Sequence, residues 1–201
     1  MSSPSARAAG RPRQFDLGDA LDRAIAVFSE RGYHATSIAD LKAAMGLTAG
    51  SIYKAFPDKK AIFLAAFDRY KAQRDAALAE KVEAGNSGRD RIRRMLDHYA
   101  EMACGDSGRR GCLVVGAAVE LSLFDTDVAD RVQRSRSRQE ALLRDLVISG
   151  KADGSIPVAV DPDATAGALY CFIQGLRIAG KSGQQPSAAA HTVLVAMKLL
   201  D

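Results

Sequence analysis

The chain has 201 residues, 47% of them hydrophobic, 26% charged and only 6% aromatic. That is enough material for a buried core in one or two domains, and it excludes a disordered or collagen-like chain. Three cysteines, an odd number without framework spacing, argue against a disulfide-stapled secreted fold.

The net charge of +4 is unevenly placed. Residues 1–60 hold nine Lys/Arg against six Asp/Glu, whereas the other 141 positions hold 19 against 18. Residues 1–14 are rich in Ser, Ala, Pro and Arg and read as a flexible basic arm carrying Arg11 and Arg13. No apolar stretch follows these basic residues, so the arm does not read as a secretory signal, and no apolar run reaches the length of a bilayer span. A cytoplasmic protein with reduced thiols is expected.

Beyond the arm the pattern is helical throughout. Leu17, Leu21, Ile25 and Phe28 recur on one helical face that starts at Asp16 and stops at Gly32. Thr36-Ser37 offers an N-cap, with Asp40 three residues after Ser37 near a capping-box position, ahead of a helix that carries Ile38, Leu41 and Met45 and ends at Gly46. Thr48 caps a short helix closed by Pro57, and Asp58 caps a long one to about Val82. Further helices are predicted from Arg89 to Cys104, through R-G-C-L-V-V-G-A-A-V-E-L, from Asp125 to Ser149, from Pro162 to Gly180 and from Pro186 onward. Gly85–Gly88, Gly105–Gly108 and Lys151–Asp161 read as loops. β-branched alternating runs are scarce, so the expected class is all-α with nine helices.

The segment G-L-T-A-G-S-I-Y-K-A-F-P over residues 46–57 carries the chemistry. Two short helices joined at Gly46-Leu47 form a helix-turn-helix pattern. Leu47, Ile52 and Phe56 point inward, leaving Thr48, Ala49, Gly50, Ser51, Tyr53 and Lys54 outward. A helix start that is small and hydroxyl-rich can approach the floor of a major groove. Tyr53 and Lys54 reach toward phosphates. Thr36, Ser37 and Lys59 lie at or beside helix N-termini, which attract phosphate. The basic arm agrees with minor-groove contact.

The same residues resemble a known family. G-R-P-R-Q-F-D, then F-S-E-R-G-Y-H-A-T-S-I-A-D-L, then M-G-L-T-A-G-S-I-Y-K-A-F-P-D-K-K-A-I-F, are similar to the N-terminal domain of TetR/AcrR transcriptional regulators. The likeness covers about residues 10–70, with the G-Y-x-x-T-S, Y-x-x-F and D-K-x-x-I-F elements at the family's spacings. It implies a three-helix DNA-binding domain over residues 15–60, joined by the helix 58–82 to an effector-binding and dimerisation domain over 61–201. It also implies a homodimer on a palindromic double-stranded operator, in most members a repressor, released by a small-molecule effector. Thr36, Thr48, Gly50, Ser51, Tyr53, Lys54 and Lys59 fall where the family contacts DNA. Lys54 stands where an aromatic residue or His is common, and Arg11 and Arg13 match an arm found in part of the family. R-G-C-L-V-V-G-A-A-V-E-L is similar to one subgroup's G-C-L-x-x-N-x-A-x-E, with Gly116 in place of the Asn.

In the C-terminal half the effector pocket is expected around Met95, Tyr99, Met102, Cys112, Val115, Val119, Phe172 and Gln174, an adaptable apolar wall with polar anchors. Leu169, Ile173, Leu176, Val193, Leu194, Met197 and Leu200 form stripes that would pair into an intersubunit four-helix bundle, or close the subunit's own core. Cys112, after Arg109 and Arg110, and Cys104 across the Gly-rich loop suggest a redox or electrophile sensor as the alternative reading. His98, Cys104 and Cys112 match no metal-ligand spacing, and no cofactor is implied. Nucleotide-binding, nucleophile-elbow and zinc-helix motifs are missing, which argues against an enzyme. A helical protein-interaction module is the remaining class, distinguished by weaker salt dependence than DNA binding.

Overall fold

The computed structural model describes residues 16–201, which are all-helical. The helices are α1 (Leu17–Arg31), α2 (Ile38–Met45), α3 (Ala49–Ala55), α4 (Lys59–Glu83), α5 (Gly88–Met102), α6 (Gly105–Arg110), α7 (Leu113–Glu120), α8 (Thr126–Ala152), α9 (Pro162–Lys181) and α10 (Pro186–Ala196), with a closing 3-10 turn over Met197–Leu200. The basic arm of residues 1–14 lies outside the described residues.

Capping sets most of these boundaries. Asp16, Ser37, Thr48, Asp58, Ser87, Asp125 and Asp161 each accept a backbone N–H from the first turn of their helix. A cap of this kind contributes about 1 kcal/mol. Ser37 and Asp40 complete a reciprocal capping box.

Ten α-helices among the described residues, rather than the nine expected, reflect the segment 105–110. It reads as a loop because of its glycines, yet it coils. Gly105 (φ 58) and Gly111 (φ 90) make the left-handed turns on either side. Gly108 packs so closely on the chain that a Cβ there would lie 2.2 Å from the Ala103 carbonyl oxygen. Glycine here serves tertiary contact as well as turning.

Two apolar clusters organise the chain. One joins α1, α2, α3 and the first half of α4 around Phe28, Leu41, Ile52, Phe63 and Phe67, with Phe28 and Phe63 edge to face at 5.1 Å. The other joins α5, α8, α9 and α10 around Met95, Leu96, Leu143, Leu169 and Ile173. Helix α4 serves both, through Ile62 to Tyr70 in the first and Leu78 and Val82 in the second. Later segments cross this division: Leu113 and Ala117 of α7, Leu121 just after it and Val128 of α8 are buried in the N-terminal cluster. Leu17, placed on the inward face of α1 by its spacing, is 44% exposed at the helix start.

Candidate DNA interface and effector cavity

The helix-turn-helix is built by local rules. Gly46, at φ 67 and ψ 29, ends α2 in the left-handed conformation and returns its N–H to the Lys42 carbonyl. Thr48 then starts α3, accepting the Ser51 N–H, and the two hydroxyls meet at 2.9 Å. Ile52 is fully buried and Phe56 nearly so, which seats α3 on the core. Thr48, Ala49, Gly50, Tyr53 and Lys54 are exposed on the opposite side. Around Gly50 there is open space, since an added Cβ would meet nothing within 4 Å. A continuous small and polar surface with a phenol and an ammonium at its end therefore faces outward.

Three other expected contacts sit differently. Thr36 is buried, its hydroxyl donating to the Gly32 carbonyl at 2.6 Å, so its side chain offers nothing to a ligand. Lys59 is half-buried over the Tyr33 ring and donates to the carbonyls of Tyr33 (3.0 Å) and Thr36 (2.9 Å). Two of its three N–H groups thus tie α4 to the turn before α2. Ser37 is exposed, with its hydroxyl engaged by Asp40. Arg11 and Arg13 lie outside the described residues. Spacing did not single out Lys42, exposed in the last turn of α2 beside the turn. A lysine outside the apolar stripe next to Gly46 was the signal for it.

A cleft opens among α4, α5, α8 and α9, beside the start of α7. Its inner chamber, about 40 Å³, is bounded by Tyr70, Tyr99, Met102, Cys112, Gln174 and Arg177, among others. An outer chamber of about 270 Å³ adjoins it, with Leu78, Val82 and Leu142 in its wall, and Lys71, Asp75, Tyr99 and Gln139 line both. Of the residues expected here, Tyr99, Met102, Cys112 and Gln174 line the inner chamber. Met95 is fully buried in the core, Phe172 packs against that core, Val115 lines neither chamber, and Val119 is 77% exposed. Met95 lies on the stripe of α5 that faces the core, and Val119 falls on the side of α7 away from it.

Arg177 dominates the chamber's electrostatics. It is only 6% exposed, and it makes no ion pair among the described residues. Its guanidinium donates to the Tyr70 hydroxyl at 3.0 Å and the Met102 carbonyl at 3.3 Å, and the Tyr70 hydroxyl in turn meets Cys112 Sγ at 3.6 Å. Burial pushes the Tyr70 phenol up to about 12, helped by the neighbouring thiol. For Cys112, burial alone would raise the thiol. The Arg177 charge, the Val115 N–H and hydrogen bonding from Tyr70 and Arg177 outweigh it and leave the thiol below its ordinary value. Burial, and then the Arg74 charge, lower His98. Arg177 escaped a search for apolar stripes, although its position four residues after Ile173 places it on that stripe.

Residues 20–66 match the family described as bacterial regulatory proteins, tetR family, and residues 88–195 match the tetracyclin repressor-like C-terminal domain. The chain belongs to the TetR family of transcriptional regulators. It is therefore a regulator rather than an enzyme. It is 33% identical over 181 residues to the HTH-type transcriptional repressor ComR of Escherichia coli (strain K12), covering 87% of this chain and 83% of ComR. It is 29% identical over 161 residues to the HTH-type regulator YezE of Bacillus subtilis (strain 168), covering 80% and 82%. Among solved structures it is similar to a cysteine mutant of the TetR-family regulator CifR in complex with 26-bp operator DNA, with a TM-score of 0.84 at 30% identity, covering 94% of this chain and 98% of that one.

Two features of this TetR-family chain bear on assembly and signalling. Leu169, Ile173, Leu176, Val193, Met197 and Leu200, expected at a subunit interface, are all buried within the subunit's own core. They lie where α9 packs on α5 and α8 and where α10 packs on α5. Leu194 is half-exposed, as are Ile178, Val195 and Leu199 in the last two helices and the closing turn. Contacts also run from the C-terminal half to the DNA-binding helices: Lys181 donates to the carbonyls of Ser29 and Glu30, and Lys60 pairs with Asp125 and Asp127.

Proposed function

We propose that this TetR-family regulator represses transcription by holding a palindromic operator as a homodimer in the cytoplasm, and releases it when a small molecule fills the cleft between α4, α5, α8 and α9. The outward face of α3 carries this reading. Gly50 and its small neighbours admit a groove floor, while Tyr53 and Lys54 reach the flanking phosphates. ComR is by name a transcriptional repressor, and the CifR mutant is bound to operator DNA. Ile178, Leu194, Val195 and Leu199 supply the apolar face onto which a second copy docks. The test is selection of random genomic fragments by the parent and by Tyr53→Ala. A short palindrome enriched by the parent alone supports the reading, and no enrichment by ligand-stripped parent protein defeats it.

A second reading has its own observation. Cys112 lines the cleft with its thiol lowered beside a buried guanidinium, the setting of a reactive thiolate. Such a thiolate adds to the β-carbon of an unsaturated carbonyl compound, and the α-carbon takes a proton from water. Cys104 packs on the other core cluster, with its Sγ 3.2 Å from the Ala100 carbonyl, and Cys171 is exposed. Operator release by N-ethylmaleimide in the parent but not in Cys112→Ser supports sensing at this thiol.

A further inference from the structure

We infer that the cleft takes an amphipathic carboxylic acid, whose carboxylate is bound by Arg177 and Gln139 and whose alkyl chain lies in the outer chamber along Leu78, Val82 and Leu142. The inference rests on the reading of this cleft as the effector site, and it names the chemistry of the effector.

Three observations carry it. The first is Arg177, a buried cation with no carboxylate opposite it among the described residues. Its hydrogen bonds to Tyr70, Met102 and the Cys112 sulfur leave further N–H groups of the guanidinium free and put no carboxylate opposite its charge. Buried charges in proteins are paired, because the cost of desolvating a lone one is large. The second is Gln139. Its Nε2 is buried and has no hydrogen-bond partner, and the residue lines both chambers. An unmet donor at the junction calls for an acceptor in the space it faces. The third is the order of the two chambers. The inner one is small and more polar than the outer, and Lys71, Arg74 and Arg177 there outnumber its single acid, Asp75. The outer one is larger, and its surface is mostly apolar, with Leu78, Val82 and Leu142 in the wall and the charged Glu83 and Arg138 beside them. A ligand with an anionic head and an apolar tail matches both in sequence, and a guanidinium with an amide N–H recognises a carboxylate through charge-assisted bonds.

The same geometry sets the relation to Cys112. A bound carboxylate would neutralise the Arg177 charge that lowers the Cys112 thiol, so binding of the acid should move that thiol back up.

The experiment titrates the intact protein with butanoate, octanoate and dodecanoate, and with the methyl ester and alcohol of matching length, by calorimetry and thermal melting. Binding that strengthens with chain length for the acids, and is weaker by about tenfold or more for ester and alcohol, is expected. Arg177→Met should lose about tenfold or more in acid affinity while its circular dichroism stays helical, and Gln139→Leu should lose severalfold. If Arg177→Met fails to fold, Gln139→Leu and the acid-against-ester comparison decide the matter by themselves. Bound acid should also slow alkylation of Cys112 by iodoacetamide. Equal affinity for acid and ester, unchanged affinity in the variants, or no acid that raises the melting temperature would overturn the inference. Because these readouts use no DNA, they separate from the regulatory reading: acid binding without any operator defeats that reading alone, and operator binding without acid binding defeats this one alone.

Discussion

The carboxylate of Glu120, at the end of α7, accepts the backbone N–H of Tyr33 at 2.9 Å, and that of His34 at 3.3 Å. Cys112 caps the start of the same helix at the wall of the cleft among α4, α5, α8 and α9. One eight-residue helix therefore connects the cleft to the turn that carries the DNA-binding helices. Coupling between two sites needs a shared element that both can bias, and α7 has contacts at both.

Glu120→Ala should leave the part-buried Tyr33 N–H without its partner and cost about 1–3 kcal/mol. Amide hydrogen exchange over residues 29–37 should speed up, with little change over α5. Gly32→Ala should act at the same joint, because Gly32 has φ 80 and a Cβ there would lie 2.0 Å from the Glu120 carboxylate. A penalty of about 1–3 kcal/mol is expected from the backbone alone. Unchanged exchange in Glu120→Ala would show that the contact carries no constraint.

Substitutions on the exposed face of α3 should divide by role. Lys54→Ala should weaken DNA binding across sequences and reduce the salt slope by about one. Thr48 or Ser51 changes should alter which bases are preferred, by about 1–3 kcal/mol per contact. Thr36→Val should instead lower stability by about 1 kcal/mol, through loss of the bond to Gly32, and leave sequence preference unaltered. Fluorescence anisotropy at several salt concentrations separates the three, and a change of preference in Thr36→Val would return that residue to the interface.

Helices α5 and α8 approach as backbones. A Cβ on Gly88 would lie 2.2 Å from the Gly150 nitrogen. Gly88→Ala should force them apart at a cost of about 1–3 kcal/mol, visible as a lower denaturation midpoint with unchanged operator affinity per folded molecule. A midpoint equal to the parent's would mean that the close approach is easily relieved.

Asp22 and Arg69 join α1 to α4 through two bonds of 2.7 Å. The Arg69 hydrogen bond holds the Asp22 carboxyl below its ordinary 3.8, against the upward push of burial and with help from Gln73. A lowered folded value means stability that is fully present above 3.8 and is lost as pH falls through the lower folded value. The parent's melting temperature should fall on acidification below 3.8 more steeply than that of Asp22→Asn. Parallel curves for the two proteins would remove Asp22 from the account. The pair is well exposed, so the effect should be small and should shrink with salt.

The proposed docking of a second copy can be tested in solution. Leu194→Glu should turn a dimer into a monomer on sedimentation, since Leu194 is half-exposed on the subunit. Ile173→Glu should unfold the subunit instead, since that side chain is wholly enclosed. Dimers surviving Leu194→Glu would place the interface elsewhere.

The sequence by itself determined what local physics controls. Ser37, Thr48, Asp58, Asp125 and Pro162 mark helix starts because a cap or a fixed φ acts within one turn, and Gly46 marks the turn because it alone there adopts a left-handed backbone freely. Periodicity likewise identified Ile52 and Phe56 as the inward side of α3, and so its outward side. Only the tertiary structure decided what each buried stripe meets. Leu169 and Ile173 read equally well as core or interface, since a stripe records that a face is covered and not by which helix. Arg177 shares that stripe, but its unpaired charge and its place above Cys112 depend on α4, α5 and α7 converging from distant parts of the chain. The same holds for Glu120 and Tyr33, 87 residues apart, whose bond no spacing could announce.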